Sequence, residues 1–265
     1  MYEGIVDYLD IMRLAGVSEL KKPVRRVAPP NGSTSVAPVQ EQSDVSPLVE
    51  PVHGSKNSLP LPLGEGTTVA AARLPSHGSK AEQLRCLAEE VAKCTQCKDL
   101  ASSRTQTVFG TGNPESFLVF IGEAPGADED KRGEPFVGRA GQLLTDIITK
   151  GMRIRREDVY ICNILRCRPP GNRNPMPDEA AHCRSFLDRT LEIIQPKYIC
   201  CLGTVAAKHL LSTDQTIGAM RGKVWDCNGI KVVCTYHPAY LLRNPAAKKD
   251  TWDDIQLLMR EMEMK

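Results

Sequence analysis

Four cysteines in this sequence are spaced for chelation. Cys94-Thr95-Gln96-Cys97 brings two thiols within reach of one centre, and Cys167 and Cys183, with fifteen residues between them, are candidates to complete the set. Four thiolates suit either zinc or an iron–sulfur cluster. The spacing matches neither common ferredoxin pattern, so on thiol chemistry alone the balance tips slightly toward zinc. Ten cysteines could instead form a disulfide framework, but the expected compartment is the cytoplasm, where thiols stay reduced. Cys200, Cys201 and Cys234 fall inside apolar runs and read as small buried hydrophobes, as does Cys162; Cys86 and Cys227, the latter in an expected hairpin, read as structural.

A second group of residues becomes chemically meaningful through the elements that carry it. Four β-rich runs (Ser116–Ile121, Val159–Ile164, Lys197–Leu202, Lys231–Tyr236) alternate with helical periodicity at Ala81–Lys93, Arg139–Lys150, Asp178–Ile194, Thr204–Leu211 and Thr251–Met264. Near-continuous apolar strands separated by helices predict a three-layer α/β/α domain around a central four-stranded parallel sheet. In such a sheet, ligands bind beyond the carboxyl ends of the strands. Gly122-Glu123-Ala124-Pro125-Gly126 and Asp128-Glu129 follow the first strand, Asn163 ends the second, and His237-Pro238 follows the fourth. A glycine turn with carboxylates, a side-chain amide and an imidazole are thus expected on one edge. Taken singly, each has an ordinary reading: a turn, a strand-end cap, a satisfied histidine. Their convergence is what points to a site.

Composition bounds the alternatives. The 34 basic residues nearly cancel 32 acidic ones, so a polyanion-binding surface has to be local rather than global. No apolar run approaches the ~18 residues that cross a bilayer, and no signal-peptide pattern is evident. Residues 1–20 place Ile5, Tyr8, Leu9, Met12 and Leu14 close to a helical stripe, which reads as a loose cap or as a docking peptide for a protein partner. Residues 21–80 hold nine prolines, eight serines and no Phe, Tyr or Trp, the composition of a disordered linker. The packed domain is expected over 81–265.

The motifs GEAPG with ADED and GEPFVG, then NILRCRPPGNRNP, then HPAYLLR, resemble the family 4 uracil-DNA glycosylases, the iron–sulfur branch of that superfamily, across roughly 81–265. The resemblance implies a DNA repair hydrolase that excises uracil from single- or double-stranded DNA, acting as a monomer with no membrane association. Cys94, Cys97, Cys167 and Cys183 match that family's cluster ligands, so the resemblance makes the metal a [4Fe–4S] cluster rather than zinc.

What uracil excision needs agrees with these residues. A flipped base must be read in a tight pocket; the Asn163 amide would pair with the uracil edge, and Phe136 would stack on its face. Gly122, Glu123 and Ala124, through backbone N–H groups, and His237 would stabilise charge developing on the departing base. Glu123 and Glu129 are the candidates to orient water, and Asp128 would line the pocket. Tyr240, Leu241, Leu242 and Arg243 resemble the family's minor-groove loop, where apolar wedges fill the gap left by the flipped base. Lys131, Arg132, Arg139, Arg166, Arg168 and Arg173 are candidates for phosphate contacts. Two relatives of the same fold are the rival readings. A protein that cross-links to the abasic product through a histidine after the first motif is disfavoured, because Asp130–Glu134 contains none; a non-catalytic DNA-docking protein is disfavoured by the intact Asn163, His237 and Phe136.

Overall fold

The computed structural model describes residues 78–264. The expected amphipathic segment at 1–20, and all of the expected Pro/Ser-rich linker up to residue 77, lie outside them. The described chain begins on a capping box. Ser79 Oγ accepts the N–H of Glu82 at 3.3 Å while the Glu82 carboxylate accepts the Ser79 N–H at 2.7 Å, satisfying donors that a helix start leaves open. This starts helix α1 (Lys80–Ala92). After it come α2 (Lys98–Ser103), β1 (Thr111–Gly112), β2 (Leu118–Gly122), α3 (Ala127–Arg132) and α4 (Arg139–Asp146), the last continued by a π-helical turn, Ile147–Gly151. Next are β3 (Tyr160–Asn163), α5 (Pro177–Ile194), β4 (Tyr198–Leu202) and α6 (Thr204–Leu211). The chain closes with α7 (Ile217–Met220), β5 (Val224–Cys227), β6 (Ile230–Thr235), α8 (Pro238–Arg243) and α9 (Lys248–Glu261).

The sheet has the order β1-β3-β2-β4-β6-β5. Its four central strands are parallel, with Val119 opposite Tyr160 and Ile199, and Cys201 opposite Cys234. These are the four strands expected from the sequence. Beyond that central sheet, β1 and β5 add an antiparallel strand at each edge. Strand β1 has two residues, too few for any period to show, and β5 alternates exposed and half-buried positions without an apolar run. The Asn228-Gly229 turn joins β5 to β6 as the expected hairpin around Cys227.

Alternate residues of each parallel strand enter opposite halves of the core. Val119 and Ile121 of β2, with Ile199 and Cys201 of β4, pack against Leu84, Leu87 and Val91 of α1, Leu187 of α5 and Leu210 of α6. Leu118 and Phe120, with Cys200 and Leu202, pack instead against Leu144 of α4 and Ile255 and Leu258 of α9. The result is the three-layer α/β/α architecture, and it explains why the strand sequences show no polar alternation. Among the described residues no helix is long and apolar enough to cross a membrane.

Two short helices fall at positions that read as loops in the sequence. Helices α3 and α8 are six residues each, shorter than a periodicity window resolves. They begin beyond the ends of β2 and β6, and so bound the edge where the candidate residues gather.

Candidate active site

At the carboxyl ends of the parallel strands lies a cavity of about 420 Å³, lined among others by Glu123, Ala124, Gly126, Glu129, Phe136, Asn163, Arg173, His237, Tyr240 and Arg243. At the end of β2, Gly122, Asn163 and Phe136 are in close contact. A Cβ on Gly122 would overlap both Asn163 Oδ1 and the Phe136 ring, so only glycine lets the amide and the ring close over the end of β2. Asn163 is buried, and its Oδ1 has no hydrogen-bond partner among the described residues. Phe136 lies in the left-handed region at φ 56°, which is strained for a bulky side chain by roughly 1–3 kcal/mol. Its ring centroid is 5.6 Å from that of His237, with the planes 33° apart.

Charged groups hold the strained loop from both sides. Glu129 accepts the N–H groups of Val137 (2.9 Å) and Gly138 (3.0 Å) with one oxygen, and that of Gly126 (3.1 Å) with the other. Arg156 donates to the carbonyls of Pro135 and Phe136, each at 3.1 Å. Each such charge-assisted bond contributes about 1.5–3 kcal/mol, enough in sum to offset the strain at Phe136. Gly141 lets α4 approach, since a Cβ there would collide with the Phe136 carbonyl. Sequence reasoning missed Arg156 because nothing in its local pattern marks a residue that acts twenty positions upstream.

His237 caps α8. Its Nδ1 accepts the Ala239 N–H at 3.1 Å, which leaves Nε2 to carry the proton of a neutral ring. Burial, reinforced by the nearby Arg243 and partly opposed by Glu129, pulls its pKa down to about 4. Glu123 lines the cavity, and its carboxylate makes no hydrogen bond or ion pair among the described residues; burial alone raises its pKa. In the turn after β2, neither the Glu123 nor the Ala124 N–H donates to another backbone group among the described residues.

Not every expected site residue is brought here. Asp128 is exposed and is not part of the cavity wall. Arg166 is wholly buried, donating to the Phe109 carbonyl at 2.6 Å and to Thr190 Oγ1 at 3.2 Å, so it cannot meet a phosphate. Arg173 borders the cavity, yet its guanidinium is engaged with both oxygens of the buried Glu179, at 2.8 and 2.6 Å. Arg168 is half-buried and donates to Asn172 Oδ1 at 2.7 Å. Lys131, Arg132, Arg139 and Arg243 are exposed. In the HPAYLLR segment the helical turn of α8 decides which side chains face out. Leu241 is 1% exposed and belongs to the interior, while Tyr240 and Leu242 are 38% and 39% exposed. Leu241, being buried, is therefore not available as a wedge, whereas Leu242 is exposed.

The four chelating thiols lie close enough to act on one another. Burial and the neighbouring Cys183, Cys167, Glu179 and Cys94 push the Cys97 thiol up to about 12. Arg104 donates to Cys167 Sγ at 3.0 Å, a pairing that no local pattern marks. Among the described residues no three His, Cys, Asp or Glu side chains are gathered as a single metal ion requires. Four soft thiol donors have the chemistry to hold either an iron–sulfur cluster or a zinc ion.

The family model for the uracil DNA glycosylase superfamily matches residues 109–256, which include the cavity residues described above. The chain belongs to the uracil-DNA glycosylase superfamily. A type-4 uracil-DNA glycosylase of Thermotoga maritima is 48% identical over 168 residues, covering 63% of this chain and 86% of the relative. One from Archaeoglobus fulgidus is 43% identical over 183 residues, covering 66% and 91%. A type-5 uracil-DNA glycosylase of Pyrobaculum aerophilum is more distant, 30% identical over 146 residues, covering 49% and 64%.

The wedge correction has a direct test in this glycosylase. Leu241→Ala should cost about 2–5 kcal/mol of stability by opening a cavity in the interior. Leu242→Ala should cost about 0.5 kcal/mol or less. Denaturant unfolding of the two variants checks the contrast, and equal losses would restore Leu241 to the surface role.

Proposed function

We propose that this glycosylase takes a flipped deoxyuridine into the cavity and hydrolyses its N-glycosidic bond, releasing uracil and leaving an abasic site in DNA. The observation that carries this reading is the Asn163 amide in the cavity wall, whose Oδ1 has no hydrogen-bond partner among the described residues. A buried acceptor left empty costs about 1–3 kcal/mol. The N3–H of uracil supplies the missing donor, while its O4 accepts from the same amide. Cytosine presents an acceptor at position 3 and a donor at position 4, so both contacts are inverted and the penalty returns. The Phe136 ring stacks on the base.

Bond cleavage sends the glycosidic electron pair to uracil, which departs as an anion with charge on O2, and leaves an oxocarbenium-like sugar. Neutral His237 donates from Nε2–H to the developing charge, together with the Glu123 and Ala124 N–H groups; donors fixed in advance need little reorganisation as charge forms. Glu123 orients the water and takes its proton as the oxygen bonds to the sugar carbon. Glu129 serves as the brace that holds the Phe136 loop against the turn after β2, because its oxygens are already engaged. Lys131, Arg132, Arg139, Arg168 and Arg243 supply cations for phosphates along the rim, and Tyr240 and Leu242 fill the vacated stack. Cys94, Cys97, Cys167 and Cys183 would hold a [4Fe–4S] cluster, which when bound ties the loop after α1 to β3 and α5 and supplies no proton or nucleophile.

The test is incubation with a uracil-containing oligonucleotide followed by alkali. Strand scission supports excision, a stable protein–DNA adduct indicates a cross-linking relative, and neither outcome leaves only a docking protein. In the same assay Asn163→Ala should lose most of the activity while duplex affinity stays within threefold of wild type; retained activity would remove the base-reading role.

The single-turnover rate should show no limb from His237 above about 4, where its ring is uncharged. It should fall on acidification as Glu123, whose pKa burial raises, takes up its proton. That acid limb should lie above the usual carboxylate range and disappear in Glu123→Gln, leaving a lower flat profile. A limb that persists in the variant would exclude Glu123 as the base.

Anaerobically purified protein should contain iron and acid-labile sulfide and absorb near 400 nm, and Cys167→Ala should lose both. Zinc in place of iron would overturn the cluster assignment.

A further inference from the structure

Behind the DNA-facing turn of α8 lies a polar network that neither the motifs nor the cavity includes. Asp254 of α9 is buried at 1% exposure. One of its oxygens accepts from Thr235 Oγ1 and from Arg221 Nε, both at 2.7 Å, and the other accepts the Gly222 N–H at 3.0 Å. Arg221 is further held by the Asp250 carbonyl. Its guanidinium carbon sits 4.5 Å above the centroid of the Tyr236 ring, and Tyr236 in turn packs on Tyr240, centroids 5.0 Å apart and planes tilted by 31°. Thr235, Tyr236 and His237 are consecutive, and the strand end that delivers the imidazole is held by the Thr235–Asp254 bond, which does not involve Arg221.

We infer that Arg221 is a positioning residue for the wedge: locked by Asp254, it clamps Tyr236, and Tyr236 fixes Tyr240 at the angle from which it supports a duplex after the base has left. The inference rests on the uracil-excision reading given above. Simply tying α9 to the sheet needs no more than Asp254, Thr235 and the Gly222 N–H. What the stacking adds is rigidity in a 38%-exposed aromatic, which in isolation would be free to rotate. A cation over an aromatic face attracts it strongly enough to change the population of one rotamer severalfold. Arg221 touches no lining residue that reads the base, so its influence should be confined to substrates in which a stack has to be filled.

The prediction is a split between substrates. With full-chain holoenzyme, Arg221→Met should raise KM for uracil in a duplex about three- to tenfold, while excision from a single-stranded oligonucleotide changes less than twofold. Arg221→Lys, which keeps the cation, should recover part of the loss. In the Tyr240→Ala background the Arg221→Met change should have almost no further effect on the duplex, because the two residues act in series. Equal losses on both substrates, or additive losses in the double variant, would show that Arg221 only stabilises the fold and would overturn the inference. Should Arg221→Met fail to fold, Tyr236→Leu, which removes the clamped face and leaves the Asp254 pair, should show the same split, and its absence would be equally fatal. Wild-type protein inactive on both substrates would instead defeat the excision reading itself.

Discussion

An unfilled acceptor, Asn163 Oδ1, sits at the end of the second parallel strand, and most of the surrounding structure is arranged so that it stays in place and stays empty. The amide would turn toward solvent or find a protein partner if the walls allowed it. They do not: Gly122 brings the backbone of β2 against it and the Phe136 ring packs on the same corner, while Asn163 still borders the cavity. Phe136 can do this only in a left-handed conformation, and that conformation needs Glu129 on one side and Arg156 on the other. A polar atom left unpaired at a stability cost becomes, in this frame, the source of base discrimination, since only a ligand with a donor at that position relieves it.

The same frame separates two uses of charge that the sequence presents as one. Glu129, Asp130, Arg156 and Arg166 are drawn inward, each bonded to backbone or hydroxyl groups. Buried ions are tolerated only with such partners, and here they set the shape of loops that have no regular hydrogen-bond ladder. Lys131, Arg132, Arg139 and Arg243 stay at the surface. A nearly neutral chain thereby keeps a local cationic rim, while much of its formal charge near the site goes to bracing.

The parallel core was legible in the sequence because burial on both faces leaves four unmistakable apolar runs, and the carboxyl-end rule then gathers Asn163, His237 and the turn after β2 at one edge. Strand β1 was hidden by its length, while β5 showed in the sequence only as the hairpin expected around Cys227. Within the site, residue types foretold the cavity wall, but not which member of a motif faces it. Leu241 and Leu242 are neighbours of identical chemistry, and only the phase of a six-residue helix puts one inside and the other out. Arg166 and Arg168 differ in the same way. Partners distant in sequence, such as Arg156 with Phe136 or Arg104 with Cys167, leave no periodic trace and become visible only once the chain is folded.

The central claim concerns a single amide, and its own resonances report on it most directly. Protein labelled with ¹⁵N can be titrated with free uracil, and separately with cytosine, while the side-chain NH₂ signals are followed by NMR. Uracil is expected to shift the Asn163 Nδ2 protons as they donate to O4 and to slow their exchange with solvent, whereas cytosine at equal concentration leaves them unmoved. Asn163 signals that ignore saturating uracil, or that respond to both bases alike, would contradict the assignment of this residue as the reader of the base.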